Sequence, residues 1–539
     1  MEYQEGTAEV RELGSKALRS GSFFVSSKII GAVVTLLLLV FLARYLKPVD
    51  YGVYTIVIAL YTLLGMGGNF GMGTALRKKL SEKEVGRERK KELVSNGFAI
   101  AGIISLIIMI IGIAISGVLA SAVYHNTSMY YPIIVAAVCV LLSVLFNLSV
   151  AVLVGLGSTR HSSIANIVYA LSQAIFVVTL VLLGYGVLGA VAGLAISLLI
   201  GFAYAILHIY GNIGTFVPRF RKAISRELAS FSIPVVTSNI AISGTTSLAI
   251  LLLGVFATTA VVGSYGAAYK LGRFFELIMT SMTFVILPAF SYTLTNESIS
   301  KKIAGIYNNS VFYAFIFLLP ILAYAVATTK PLTRLLFGSA YVGAPLYFAF
   351  ISVGTVIGLI GSFAGQLIIG NGDTKRFMKY QLVVVLAEVA LLAILVPYEK
   401  VAGALIAVFA VGPILMDLLY IKALRSQFSI RMEWKRLGRL TLSAIMLFVV
   451  LFALTIAMHY SRAAVLVNII VALLLYPPML AVTKAIEKRN LDFIAESMSK
   501  IRQLKRPAHN RQRRYKEVHE IPARSSDCRG SPSSHTCTI

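Results

Sequence analysis

Lys270, Arg273 and Glu276 step by three through an otherwise apolar stretch. On a helix that spacing places them on one stripe about 120° wide. An ionisable side chain at the bilayer centre costs roughly 3 kcal/mol on insertion scales, so the stripe faces protein or a watery cavity rather than lipid. Two cations in such a place attract phosphate or acidic oxygens, Arg through its planar fork and Lys as a point charge. Glu276 is then placed to bind or release a proton or monovalent ion as its surroundings change. The competing reading is an internal Arg273–Glu276 pair that only neutralises itself.

Other polar residues in apolar stretches are few. Lys28 serves either a cavity or, by snorkelling, an anchor. Arg44 lies near the far end of the same run, as a headgroup anchor or a gate. Asn69 and Asn239 either face a vestibule or hydrogen-bond between helices, the commoner use of such residues. Glu388 and Asp417 read as structural, paired with polar neighbours. No His-Glu-x-x-His, Walker loop or Asp-rich metal site occurs. We therefore expect no catalytic residue, no cofactor, no metal and no ATP hydrolysis by this chain. The three cysteines, Cys139, Cys528 and Cys537, form no zinc spacing or disulfide framework.

The elements that hold these residues are set by composition. The chain has 539 residues, 58% hydrophobic and only 13% charged, where a soluble chain carries about 25% charged residues. Apolar runs long enough to cross a hydrocarbon core of roughly 30 Å recur, and in lipid they must be helices. The expected fold is all-α, with fourteen spans: 22–46, 52–75, 95–119, 132–156, 163–183, 187–209, 230–256, 264–290, 305–327, 341–369, 378–397, 401–422, 438–458 and 464–483. Lys and Arg concentrate in the loops after the second, sixth and twelfth spans, while the alternate loops are nearly bare. The positive-inside rule then puts both termini in the cytoplasm, in a cell (cytoplasmic) membrane. The net charge of +26 reads as cytoplasmic loops meeting anionic membrane lipids, not nucleic acid. Residues 485–539 read as a basic cytoplasmic tail, partly an amphipathic surface helix (487–503) and otherwise disordered.

The chain also repeats itself. Gly155-Leu156-Gly157 matches Gly370-Asn371-Gly372, and Gly189-Ala190-Val191 matches Gly403-Ala404-Leu405. Tyr51-Gly52-Val53-Tyr54 matches Val262-Gly263-Ser264-Tyr265 more weakly. The shift equals six helices, an even number, so the repeat is parallel about an axis along the membrane normal. The expected units are a cytoplasmic segment (1–21), a six-helix bundle (22–209), a cytoplasmic linker (210–229), a second bundle (230–422), two further helices (423–484) and the tail. Two such bundles usually enclose a central cavity.

Phe41-Leu42-Ala43-Arg44-Tyr45-Leu46-Lys47-Pro48-Val49-Asp50-Tyr51-Gly52-Val53-Tyr54 resembles the first outer loop of polysaccharide-transporter flippases. Asn69-Phe70-Gly71-Met72-Gly73-Thr74-Ala75-Leu76 resembles their second-helix end. Leu332 to Tyr341 resembles the segment before their tenth helix. These proteins form a branch of the multidrug/oligosaccharidyl-lipid/polysaccharide (MOP) exporter superfamily, and the resemblance spans residues 15–485. It implies an alternating-access flippase that turns a lipid-linked oligosaccharide, of polyprenyl-pyrophosphate type, from the inner to the outer leaflet. It also implies that the first, second, seventh and eighth helices line the cavity, which aims the stripe at substrate. Other polysaccharide-assembly proteins are further expected partners. Two alternatives stand beside it. An ion-coupled multidrug antiporter of the same superfamily wants acids in the cavity for cationic cargo, yet this stripe is net cationic. A membrane glycosyl ligase or polymerase needs large outer loops, and these are short.

Overall fold

A computed structural model describes the backbone of residues 2–69, 71–82, 86–295 and 303–485, with the side chains of these except 2–26, 69, 229–243 and 280–295. The expected tail lies outside the described residues. What is described is helical, without strands. Ten stretches are helical and apolar for long enough to cross a membrane.

Two of those stretches run much longer than one crossing. Ser27–Gly68 has 42 residues and Thr159–Ile213 has 55, whereas about 20 residues span the hydrocarbon core. Each turns sharply inside. In α1 (Glu2–Asn69) the turn is at Lys47, with φ 59°, followed by Pro48. Pro48 lacks an N–H and disfavours helical geometry in the residue before it, so the chain bends there. Between α5 (Thr159–Leu180) and α6 (Gly186–Ile213), Gly184 and Gly186 take φ of 92° and 51°. Only glycine does so cheaply.

The first repeat continues through α2 (Met72–Leu80), α3 (Arg87–Val118) and α4 (Tyr130–Gly155). A linker then leads to α7 (Lys222–Phe256) and α8 (Thr259–Thr295). Next come α9 (Ile303–Ala327), the short α10 (Thr329–Phe337), α11 (Ala344–Ile357) and α12 (Leu359–Gly370). The chain closes with α13 (Thr374–Glu399), α14 (Val401–Leu405), α15 (Gly412–Phe428), α16 (Trp434–Ala457) and α17 (Ala463–Val482). The expected tenth span is thus two helices in series, broken at Gly358. A π-helical turn at Ile406–Val411 interrupts the expected twelfth.

The repeated motifs take the same local geometry. Gly157 and Gly372 sit in the left-handed region at φ 78° and 82°. At each turn the glycine N–H bonds three residues back, and the next N–H bonds five back: Ser158 to Leu153 at 2.8 Å, Asp373 to Ile368 at 3.2 Å. This is the helix-ending pattern that a left-handed glycine makes. Gly189 and Gly403 each press against the backbone of the preceding helix, at Leu180 and Leu395.

A further correspondence was not visible beforehand. Asn96 on α3 donates from Nδ2 to the Arg221 carbonyl at 3.3 Å. Asn308 on α9 donates from Nδ2 to the Arg431 carbonyl at 3.0 Å. In each half, a buried amide pins the basic connection that leaves the repeat. The first connection is stitched more fully. Ser225 Oγ donates to Asn96 Oδ1 at 2.7 Å, and Lys79 and Arg89 hold Glu227 at 2.9 and 2.8 Å. These ion pairs push the Lys79 ammonium above its ordinary pKa and the Glu227 carboxyl below its own.

Candidate functional site

The two repeats meet where the second half of α1 packs against the start of α8. Small residues allow a close approach. A Cβ on Gly52 would overlap the Thr259 carbonyl, and one on Gly263 would overlap the Pro48 carbonyl. A Cβ on Gly266 would likewise overlap the Thr55 side chain. The surrounding contacts close the same end. Arg44 donates from Nε to the Leu336 carbonyl at 2.9 Å and from its Nη2 to Leu335. Those carbonyls belong to the last turn of α10, where the helix dipole favours a cation. Tyr341 donates its hydroxyl to the Ala43 carbonyl at 2.6 Å. Arg44 therefore clasps the other repeat.

Below this seal lies the charged stripe. Lys270 extends from α8 to α1, where its Nζ lies 4.4 Å from the Tyr54 ring centroid and 5.6 Å from that of Tyr51. A cation over an aromatic face is worth about 2 kcal/mol when desolvated. Among the described residues Lys270 makes no ion pair. Arg273 points elsewhere: its Nε donates to Glu276 Oε2 at 3.2 Å. Both members of that pair are exposed, at 61% and 48%. The guanidinium's terminal nitrogens have no partner among the described residues. The stripe therefore holds one cation on rings, one cation half-engaged, and one acid.

The helix is longer than expected. It starts at Thr259, not near 264, and runs for 37 residues. At 1.5 Å per residue, Lys270 lies about 16 Å and Glu276 about 26 Å from its first residue. Counted from residue 264, where the expected span begins, Glu276 would lie about 18 Å in, so the acid lies deeper from that end.

The remaining candidates separate from this group. Lys28 is exposed on the first half of α1, with an interaction of its own. The side chains of Asn69 and Asn239 lie outside the described residues. Tyr51 and Tyr54, whose rings meet Lys270, are not singled out by the sequence reading, although the motif containing them is. Their spacing of three, which puts both rings on one helical face, was the available signal.

Glu388 and Asp417 sit in the second repeat as ties between helices. Glu388 on α13 hydrogen-bonds Thr245 on α7 and lies against the Cα of Gly412 on α15. Asp417 Oδ1 accepts the Gly361 N–H at 2.7 Å, satisfying an otherwise free donor in the first turn of α12. Among the described residues no cluster of His, Cys, Asp and Glu could hold a metal ion.

Comparison with known proteins agrees with this architecture. Residues 41–345, more than half the chain, match the family described as "Polysaccharide biosynthesis protein". The "Probable low-salt glycan biosynthesis flippase Agl15" of Haloferax volcanii is 22% identical over 440 residues, which is 80% of this chain and 89% of that protein. Among solved structures, the lipid II flippase MurJ in an inward closed conformation superposes with a TM-score of 0.69. It is 16% identical, over 85% of this chain and 98% of MurJ. An inward-facing multidrug resistance MATE family transporter of the MOP superfamily gives 0.56 at 16% identity, over 75% and 94%. The chain is thus a multi-pass membrane protein with the MurJ/MATE fold, and it belongs to the polysaccharide biosynthesis protein family.

Proposed function

We propose that this protein is a flippase that moves a lipid-linked oligosaccharide, carried on a polyprenyl pyrophosphate, from the inner to the outer leaflet by alternating access. In this reading the chain has fourteen spans in two six-helix bundles, with helices 13 and 14 outside them and both termini in the cytoplasm. The sealed end at Gly52 and Gly263 is then the outer one. The cargo enters from the cytoplasmic side, for assembly of cell-surface glycan in the cytoplasmic membrane.

One observation carries the reading. Lys270 is a cation at the junction of the two repeats, seated on tyrosine rings and matched by no carboxylate among the described residues. Such a site suits an anion. In the proposal Lys270 meets the pyrophosphate as a point charge, and the open fork of Arg273 binds it bidentately. Glu276 holds Arg273 in place and exchanges a proton or monovalent ion as access changes. The relatives' names support a lipid-linked cargo, since one is a glycan biosynthesis flippase and another a lipid II flippase. The multidrug transporters share the fold, so fold alone does not separate cargo classes. Two cations against one acid support an anionic cargo over a cationic drug.

The test is depletion of the protein in its host. Lipid-linked oligosaccharide should accumulate on the inner leaflet. Unchanged leaflet distribution after full depletion would sink the proposal.

A further inference from the structure

Trp434 opens α16 and separates two clefts on the flank of the second repeat. One cleft, of about 580 Å³, lies along α15 and is bordered by Ile357, Asp417, Leu418, Lys422, Arg425 and Trp434. The other, of about 500 Å³, lies along α16 and is bordered mainly by apolar side chains. Neither contains a residue of the charged stripe.

The first cleft is graded along its length. Asp417 lies at its deep end, turned onto the Gly361 N–H. Leu418 and Ile357 make the middle apolar. Lys422 and Arg425, a turn apart on α15, lie toward the helix end that leads into the basic connection, Ser429 to Glu433. Arg425 is eight residues beyond Asp417, about 12 Å along the helix. Both cations are exposed, and neither makes an ion pair among the described residues. The nearest acid in sequence, Asp417, is turned onto the Gly361 N–H, and the next, Glu433, is taken by Arg436 at 3.2 Å. Trp434 is half-exposed beside them. An aromatic ring and cations at one level mark a membrane–water interface. An apolar slot running from that level into the hydrocarbon fits a lipid tail.

We propose that this cleft binds one anionic membrane phospholipid, an acyl chain along Leu418 and Ile357 and its phosphate on Lys422 and Arg425. The charges decide the occupant. A zwitterionic headgroup gains little from two unpaired cations, whereas an anionic one gains from both. The site lies outside the central stripe, so it stands whether or not the chain is a flippase.

Trp434 is the only tryptophan in the chain, so its fluorescence reports on the two clefts it borders, of which only the first carries Lys422 and Arg425. The full chain is placed in phosphatidylcholine vesicles containing a small fraction of dibrominated phosphatidylglycerol or, in parallel, dibrominated phosphatidylcholine. Half-maximal quenching should need about tenfold less of the anionic lipid. Lys422→Gln/Arg425→Gln should abolish that preference while leaving quenching by the zwitterionic lipid intact, which shows Trp434 still in place. Equal quenching by both lipids in the unsubstituted protein would overturn the proposal, as would a preference that survives the double substitution. Relief of quenching by polyprenyl phosphate but not by unbrominated phosphatidylglycerol would assign the cleft to a carrier lipid and overturn it equally.

Discussion

Gly52 and Gly263 hold equivalent places in the two repeats, and they touch each other. A Cβ on Gly52 would stand 3.1 Å from the Gly263 nitrogen, and one on Gly263 would stand 3.0 Å from the Gly52 nitrogen. The contact is reciprocal, as expected where a two-fold pseudo-axis passes between matching residues. A larger residue at either position forces the helices apart.

That contact gives the first prediction. Overpacking a close contact costs about 1–3 kcal/mol, enough to shift a two-state gate roughly 5- to 150-fold toward its open form. Gly263→Val and Gly52→Val should therefore cut transport by about tenfold or more at normal membrane levels. Gly65→Ala, where nothing lies within 4 Å of the added Cβ, should be neutral. Transport by Gly263→Val equal to that of Gly65→Ala would remove the seal from the account.

The second prediction concerns sidedness. In a background lacking Cys139, Cys528 and Cys537, cysteines at exposed Thr127 and His459 should react with an impermeant thiol reagent added outside intact cells. Cysteines at exposed Ser81 and Ser429 should react only after permeabilisation. The opposite pattern would invert the proposed orientation.

The third prediction follows from the Glu227 cluster. The carboxyl's pKa is depressed, so its contribution is fully present above the ordinary carboxylate range and fades as pH falls through the lowered value. Lys79 is raised, so its share is fully present below the ordinary lysine value and fades only above it. Thermal stability should show no Glu227-dependent change between about pH 5 and pH 10. Because the pair is partly exposed, Glu227→Gln should cost no more than about 1 kcal/mol, and less at high salt. A sharp Glu227-dependent step near neutrality would contradict this arrangement.

The fourth prediction separates geometry from charge at Asp417. Asp417→Asn keeps an acceptor for the Gly361 N–H, while Asp417→Ala leaves that donor unpaired at a cost of about 1–3 kcal/mol. The melting temperature in detergent should fall clearly for Ala and little for Asn. Equal losses would mean that the carboxylate's charge, not its acceptor, matters there.

Much of the architecture was legible in the sequence because the bilayer imposes it. Apolar runs of span length must be helices, and the recurring glycines marked the repeat. Other features depend on tertiary placement. Similarity between Gly52 and Gly263 showed equivalence, but not that both lie at the axis. The break at Gly358 was hidden because the run around it is apolar throughout, and its stabilising partner, Asp417, is 59 positions away. At the stripe, the spacing of Lys270, Arg273 and Glu276 identified the right helix. It did not reveal that Lys270 reaches Tyr51 and Tyr54, because those rings come from the other repeat.

The central claim is that the stripe's cations meet an anionic cargo. Its most direct test is the rate at which an anionic lipid-linked oligosaccharide crosses vesicle bilayers containing Arg273→Gln/Glu276→Gln at matched protein content. If Arg273 only neutralises Glu276, removing both charges leaves nothing unpaired, and the rate returns near that of the unsubstituted protein. The cavity role predicts a loss no milder than that of Arg273→Gln alone, about tenfold or more, since one charge-assisted phosphate contact is worth about 1.5–3 kcal/mol. A double variant that flips the cargo at the normal rate would contradict the account.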